Sequence, residues 1–171
     1  MMPGPIRAFV RTVDALNRAV GRVAMYLLFV LAAVLLASTL SRLVVGAPVN
    51  WALEMAQFIL SAYYLLGGAY AVQLDSHVRM DVFYGNLSPR KRAITDAFTI
   101  LFVVFYLVVL FAGGISSTNY AIVYQQQNYS AWAPLLWPIK VVMTIGVFLM
   151  LLQCVSTFFK DIAIARGKPI A

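Results

Sequence analysis

The chain has 171 residues, of which 63% are hydrophobic and only 11% are charged, and its mean hydropathy is +0.86. This composition excludes an ordinary soluble globular domain and predicts an integral membrane protein. The net charge of +7 comes from short basic clusters beside long uncharged runs, which favours anionic lipid over nucleic acid as the partner of the charge. The single cysteine, Cys154, excludes an intrachain disulfide.

The first 22 residues combine an apolar and a basic face at helical spacing. The apolar face comprises Ile6, Phe9, Val10, Val13, Leu16 and Val20, and the basic face comprises Arg7, Arg11, Arg18 and Arg22. Segment 1–22 therefore predicts an amphipathic helix on the membrane surface. The uncharged run that follows, from Val23 to Ser41, is longer than the apolar region of a signal peptide. It predicts a retained first transmembrane helix over 23–45.

Further apolar stretches predict three more membrane spans, over 51–74, 97–118 and 134–159. The uncharged run from Ala97 to Ile139 is about twice as long as one membrane crossing requires, so the chain must fold back within it. The sequence QQQNYSAWAP marks this turn. The predicted connections are a loop over 75–96, a loop over 119–133 and a tail over 160–171.

Basic residues cluster at one end of these spans. Of the 13 lysines and arginines, only Arg42 and Lys140 lie at the opposite end. By the positive-inside rule, both termini and the 75–96 loop are cytoplasmic and the 119–133 loop is outside. The predicted fold class is an all-α integral membrane protein with four transmembrane helices, both termini cytoplasmic, and an N-terminal amphipathic surface helix.

A stripe of polar and small side chains follows the second predicted span at alternating spacings of three and four residues. Its members are Glu54, Gln57, Ser61, Tyr64, Gly68, Ala71 and Asp75. Helices in a bilayer associate through small residues and interhelical hydrogen bonds, so the stripe predicts a protein-facing seam. Packing is favoured over a substrate path, because a path would need more ionisable groups at mid-depth.

Glu54 is an acidic residue at the outer end of the second span, and Arg42 and Lys140 are the nearest cations at similar depth. An ion pair with one of them is the favoured interpretation, because an unpaired charge is costly there. The segments APVNWALE and APLLWPIK share the pattern A-P-x-x-W with a charge three residues later. This pattern makes Trp51 and Trp137 candidate anchors at the outer interface.

The motif HVRMD follows the second span and contains His77, Arg79 and Asp81. His77 is the single histidine, which excludes bis-imidazole haem ligation within one chain and argues against a zinc site. His77 and Asp81 are four residues apart and could bond on a helical turn, so a local structural cluster is favoured over a proton relay. The sequence predicts no catalytic, cofactor-binding or metal-binding set of residues.

Four features together resemble the small membrane subunit (DctQ type) of tripartite ATP-independent periplasmic (TRAP) transporters: Arg42 at the end of the first span, W-x-x-E from Trp51 to Glu54, LGGAYA within the second span, and HVRMD after it. The resemblance covers nearly the whole chain and is most specific over 51–81. It implies a non-catalytic subunit of the bacterial inner membrane, without a cofactor, that braces the scaffold of a large membrane subunit. That pair would take up, with sodium, an organic acid delivered by a periplasmic binding protein.

Two other classes are weighed against this interpretation. A self-sufficient four-helix exporter would use Glu54 as its proton-coupled carboxylate. A membrane-embedded enzyme or quinone-binding subunit would need redox or nucleophilic groups that the sequence does not offer. The sequence does not identify the organic acid, the residues that contact each partner or the oligomeric state of the complex.

Overall fold

The computed structural model describes residues 4–47, 49–74 and 89–165. This part of the chain forms four long helices: α1 (Gly4–Val45), α2 (Ala52–Gln73), α3 (Pro89–Val123) and α4 (Trp137–Ala165). Each helix is long and apolar enough to cross a membrane. The predicted all-α membrane fold with four spans is therefore confirmed, whereas its orientation in the membrane stays a prediction.

The helices pack side by side in the order α1, α2, α4, α3, and the start of α1 also packs against the end of α4. α1 and α3 form the two edges of this row, while α4 has three neighbours. Leu107 of α3 and Val147 and Cys154 of α4 form the buried core, and Leu65, Val72 and Met150 are among the partly buried residues packed on it. Because α4 has three neighbours, a larger share of its side chains is buried than in any other helix.

Small residues allow these helices to approach closely, as expected for helices that associate in lipid. A Cβ atom added to Gly146 would lie 2.9 Å from backbone atoms of Leu65, and one added to Gly21 would overlap Tyr70. Between α3 and α4, the hydroxyls of Thr118 and Thr144 are hydrogen-bonded at 3.0 Å. Three of the four packed pairs of helices are thus joined by a specific close contact.

The predicted division between a surface helix over 1–22 and a span over 23–45 does not appear in the structure. α1 is a single helix of 42 residues, about 63 Å long at 1.5 Å per residue and therefore about twice the thickness of the hydrocarbon core. Its one proline, Pro5, lies in the first turn and does not interrupt it. The apolar face of its first part packs against protein, with Val10 and Val13 buried. The N-terminal segment thus continues the first helix without a break, and its position at the membrane surface stays a prediction.

The other helix bounds also differ from those predicted. The prediction of 97–118 covers only the middle of α3, and α4 extends past the predicted end at residue 159. α2 differs from the predicted 51–74 by one residue at each end. Hydropathy marks the part of a helix that lies in lipid, whereas hydrogen bonding continues into the charged turns beyond it.

The connection between α3 and α4 is an ordered turn. The Leu136 amide donates to the Gln126 carbonyl at 2.9 Å, and the Asn128 amide donates to the Pro134 carbonyl at 3.0 Å. Gln125 and Ala133 adopt positive φ values of 45° at the two sides of the turn. The fold-back predicted from QQQNYSAWAP thus takes the form of a short hairpin-like loop.

Candidate functional site

A polar cluster joins the start of α1 to the end of α4. The end of the helix row where these two segments meet is here named the terminal end. Lys160 Nζ lies 2.6 Å from Asp14 Oδ2. The other oxygen of Asp14 accepts hydrogen bonds from Gln153 Nε2 at 3.0 Å and from the Ser156 hydroxyl at 3.4 Å. Asn17 Nδ2 donates to Gln153 Oε1 at 2.6 Å. These five residues form one network between two helices that are remote in sequence.

The ion pair fixes the direction of every amide in this network. An ionised carboxylate only accepts hydrogen bonds, so Gln153 must turn its nitrogen to Asp14 and its oxygen to Asn17. Asn17 must then donate, and its own Oδ1 is buried without a hydrogen-bond partner. These fixed directions favour the observed register of α1 against α4.

Sequence reasoning missed this cluster, although its spacing is visible. Asp14 and Asn17 are three residues apart, and Gln153, Ser156 and Lys160 follow at spacings of three and four, so each set lies on one helix face. Nothing in a single sequence shows that the two faces meet. The neighbouring edge-to-face contact of Phe9 with Phe159, with ring centroids 6.5 Å apart, adds apolar packing to the same junction.

A second cation-centred contact lies at the opposite end, here named the loop end. Lys140 Nζ donates to Ser117 Oγ at 2.9 Å and to Gln126 Oε1 at 2.8 Å. These contacts join the first turn of α4 to α3 and to the loop between them. Among the described residues Lys140 has no carboxylate partner, which is costly at the end of a membrane span, and neutral oxygens from two elements stabilise it.

The described residues do not form the ion pair predicted for Glu54. Glu54 is only 7% exposed and its Oε2 has no hydrogen-bond partner. Among the described residues, neither Arg42 nor Lys140 forms an ion pair with it. Lys140 is bound to oxygens of α3 and the loop, and Arg42 is exposed at the end of α1. Glu54 lies instead in the first turn of α2, where the helix dipole favours a negative charge.

The stripe on α2 that was predicted to face protein is partly packed against α4 and partly exposed. Gly68 faces Met150 of α4, so this part is packed within the subunit. Gln57 is exposed and Tyr64 is 65% exposed, so the other part forms an open surface. Ser61 and Ala71 are partly buried, and the Ser61 hydroxyl donates to the Gln57 carbonyl of its own helix at 2.8 Å.

The open part of this stripe borders a groove between α1 and α2 with a volume of about 550 Å³. Ala24, Met25, Tyr63, Tyr64, Gly67 and Ala71 are among the residues that line it. Gly67 has no other atom within 4 Å of an added Cβ position. This groove is therefore an open, mainly apolar surface with aromatic side chains at its rim.

The remaining predicted site residues are placed as follows. Trp51 and Trp137 both lie at the loop end and are 44% and 38% exposed, and their role as interfacial anchors stays a prediction. His77, Arg79 and Asp81 lie outside the described residues. Within the described residues, no group of three or more His, Cys, Asp or Glu side chains could hold a metal ion.

Four long apolar helices, joined by small-residue contacts and polar clusters, define a multi-pass membrane protein. The family model for the DctQ component of tripartite ATP-independent periplasmic transporters matches residues 31–163, more than three quarters of the chain. The chain therefore belongs to this family, which confirms the resemblance carried by W-x-x-E, LGGAYA and HVRMD. No curated protein matches it.

Membership of the family defines several properties of the chain. It is a small subunit of a TRAP transporter and a non-catalytic component, not an enzyme. The family implies association with a large TRAP subunit and a binding protein of the same system. It also implies that this multi-pass protein resides in the bacterial inner membrane.

Proposed function

We propose that this subunit braces the stationary scaffold of the large TRAP subunit during sodium-coupled uptake of an organic acid delivered by the periplasmic binding protein. The main observation in support is that each membrane-crossing helix is an uninterrupted α-helix. Secondary carriers typically build their sites at mid-depth from broken helices with unwound backbone. Uninterrupted helices therefore support a scaffold role for this subunit, with the moving element in its partner.

The open face of α2 is the proposed contact with the large subunit. Gln57 presents an exposed amide there, and lipid tails would leave that amide without a hydrogen-bond partner. The groove beside Gly67 could receive a side chain or a helix ridge from the partner. The exporter alternative gains no support, because Glu54 is in the first turn of α2 rather than at mid-depth.

Reconstitution tests the scaffold role. Proteoliposomes that contain this subunit and the binding protein should show no sodium-driven uptake of organic acids, and adding the large subunit should produce uptake. Uptake by this subunit alone would contradict the proposal, and proton-coupled export that is lost in Glu54→Gln would favour the exporter.

The proposed contact has its own matched test. Gly67→Leu should reduce copurification of the large subunit in mild detergent, because it fills the groove from the open side. Gly67→Ala should have little effect on copurification, and both variants should leave the thermal stability of the isolated subunit nearly unchanged. Normal copurification of Gly67→Leu would exclude this face of α2 from the interface.

The proposed orientation places the terminal end in the cytoplasm and the loop end in the periplasm. Tyr129 is fully exposed at the loop end, and Ala15 is exposed on α1 at the terminal end. In a Cys154→Ala background, a membrane-impermeant maleimide added outside intact inner membranes should label Tyr129→Cys but not Ala15→Cys. The opposite labelling pattern would reverse the topology.

A further inference from the structure

Four arginines form a single exposed stripe on the first part of α1. Arg7, Arg11, Arg18 and Arg22 are all exposed, and at about 100° per residue they fall within a sector of about 60° of the helix. Val10, Val13 and Asn17 face protein on another side of the same helix. The stripe therefore has a fixed direction relative to the packed helices.

The positive charge of this arginine stripe is not neutralised within the described residues. Asp14 is the acidic residue of the same helical segment, and Lys160 of α4 pairs with it at 2.6 Å. None of the four arginines forms an ion pair with another described residue. The polar cluster thus has two effects, because it attaches α1 to α4 and it removes the acid that would otherwise compete for the arginines.

The stripe stops where the membrane-spanning part of α1 starts. Residues 23–41 are uncharged and match the length of one hydrocarbon crossing. The charge pattern of α1 therefore indicates headgroup depth for Arg22 and Arg18. Arg22 Nε donates to the Arg18 carbonyl at 3.4 Å, which directs the guanidinium away from the apolar run. Its terminal nitrogens are left for an external acceptor.

We propose that Arg18 and Arg22 form a binding site for the phosphate of an anionic phospholipid in the leaflet at the terminal end. A guanidinium donates paired hydrogen bonds to phosphate oxygens, and a basic residue near an anionic membrane surface contributes about 1 kcal/mol. Arg11 and Arg7 extend roughly 16 Å and 22 Å beyond Arg22 along the helix. They contribute less to this site because they lie beyond the headgroup layer.

A lipid is favoured over a nucleic acid because the site is continuous with a membrane span. The family match begins at residue 31, so Arg18 and Arg22 lie outside the matched part of the chain. The proposed site is therefore a property of this chain's N-terminal segment, and it does not depend on the scaffold role proposed above.

Native mass spectrometry of the full chain, titrated with phosphatidylglycerol or phosphatidylcholine, tests the site. The measured quantity is the ratio of the two dissociation constants. Arg18→Gln/Arg22→Gln should reduce the preference for phosphatidylglycerol by about 25-fold, or about fivefold per arginine. Arg7→Gln/Arg11→Gln should reduce it less. Arg42→Gln removes one positive charge at the loop end of the same helix and should leave the preference unchanged.

The outcomes separate the lipid site from its alternatives. An unchanged preference in Arg18→Gln/Arg22→Gln would overturn the proposal, and so would an equal loss in Arg42→Gln, which would indicate a general charge effect. Displacement of phosphatidylglycerol by excess inorganic phosphate would indicate a site for free anions instead of lipid. Circular dichroism of each variant should be unchanged, because all substituted side chains are exposed.

Discussion

Asn17 of α1 donates a hydrogen bond to Gln153 of α4 over 2.6 Å, although 136 positions separate the two residues. The bond is the last contact of a network that runs from the Lys160–Asp14 ion pair through Gln153 to Asn17. The ionised Asp14 accepts a hydrogen bond from the Gln153 nitrogen, which leaves the Gln153 oxygen to accept one from Asn17. The contact between the two amides therefore depends on the ion pair. The junction of α1 with α4 is therefore sensitive to which atom of each amide donates.

Asn17→Asp should destabilise the subunit more than Asn17→Ala. Asn17→Ala leaves Gln153 Oε1 without its donor, at a cost of about 1–3 kcal/mol. Asn17→Asp places a buried carboxylate against the same oxygen, and its cost is about 3–5 kcal/mol because the charge has no counterion there. Thermal unfolding in detergent measures both changes. Thr12→Ala is the control, because its exposed hydroxyl bonds only to its own helix.

Gly146→Ala should destabilise the contact between α2 and α4. The new Cβ would lie 2.9 Å from the Leu65 backbone, so the helices must separate, at a cost of about 1–3 kcal/mol. Gly67→Ala is the matched control on the open side of α2, and it should be neutral or stabilising by up to about 1 kcal/mol through helix propensity. Equal stability of the two variants would show that this close approach is not required.

The helices could be predicted from the sequence because the bilayer imposes a strong physical constraint on them. A run of about 20 uncharged residues has few stable alternatives to a transmembrane helix, and the turn between α3 and α4 follows from the length of the run around it. The continuity of α1 could not be predicted in this way. An amphipathic segment before a span has the same pattern whether it lies on lipid or on another helix, and here α4 provides the apolar partner.

The polar contacts were harder to predict for a related reason. The sequence predicts a pair of Glu54 with Arg42 or Lys140 from their similar depth and opposite charge. Depth does not determine which face of its helix a side chain occupies. Lys140 instead finds oxygens on Ser117 and Gln126. Conversely, the sequence does not indicate that Asp14 pairs with Lys160, because the two residues lie near opposite ends of the chain.

A double-mutant cycle on Arg42 and Glu54 tests the corrected placement. Because the two residues form no ion pair in the structure, the effects of Arg42→Gln and Glu54→Gln on unfolding free energy should add to within about 0.5 kcal/mol. The cycle on Asp14→Asn and Lys160→Gln should instead show a coupling above that value, because these two side chains are paired. A coupling of Arg42 to Glu54 as large as that of Asp14 to Lys160 would restore the ion pair predicted from sequence.

Lys140→Met should loosen the loop between α3 and α4 while preserving the length and apolar part of the side chain. The ammonium group contacts Ser117 and the side chain of Gln126, and the backbone carbonyl of Gln126 accepts a hydrogen bond from the Leu136 amide. Loss of a charged hydrogen bond costs about 1.5–3 kcal/mol. Hydrogen exchange at the Leu136 amide should therefore become faster by about tenfold or more.

The amide of Asn128 belongs to the same loop, since it donates to the Pro134 carbonyl, and its exchange should rise with that of Leu136. Arg42→Met removes a charge at the same end of the molecule without touching this loop, and it should leave both rates unchanged. Unaltered exchange in Lys140→Met would mean that the backbone hydrogen bonds hold the loop without the lysine. The structural role of Lys140 would then be limited to its contact with Ser117 of α3.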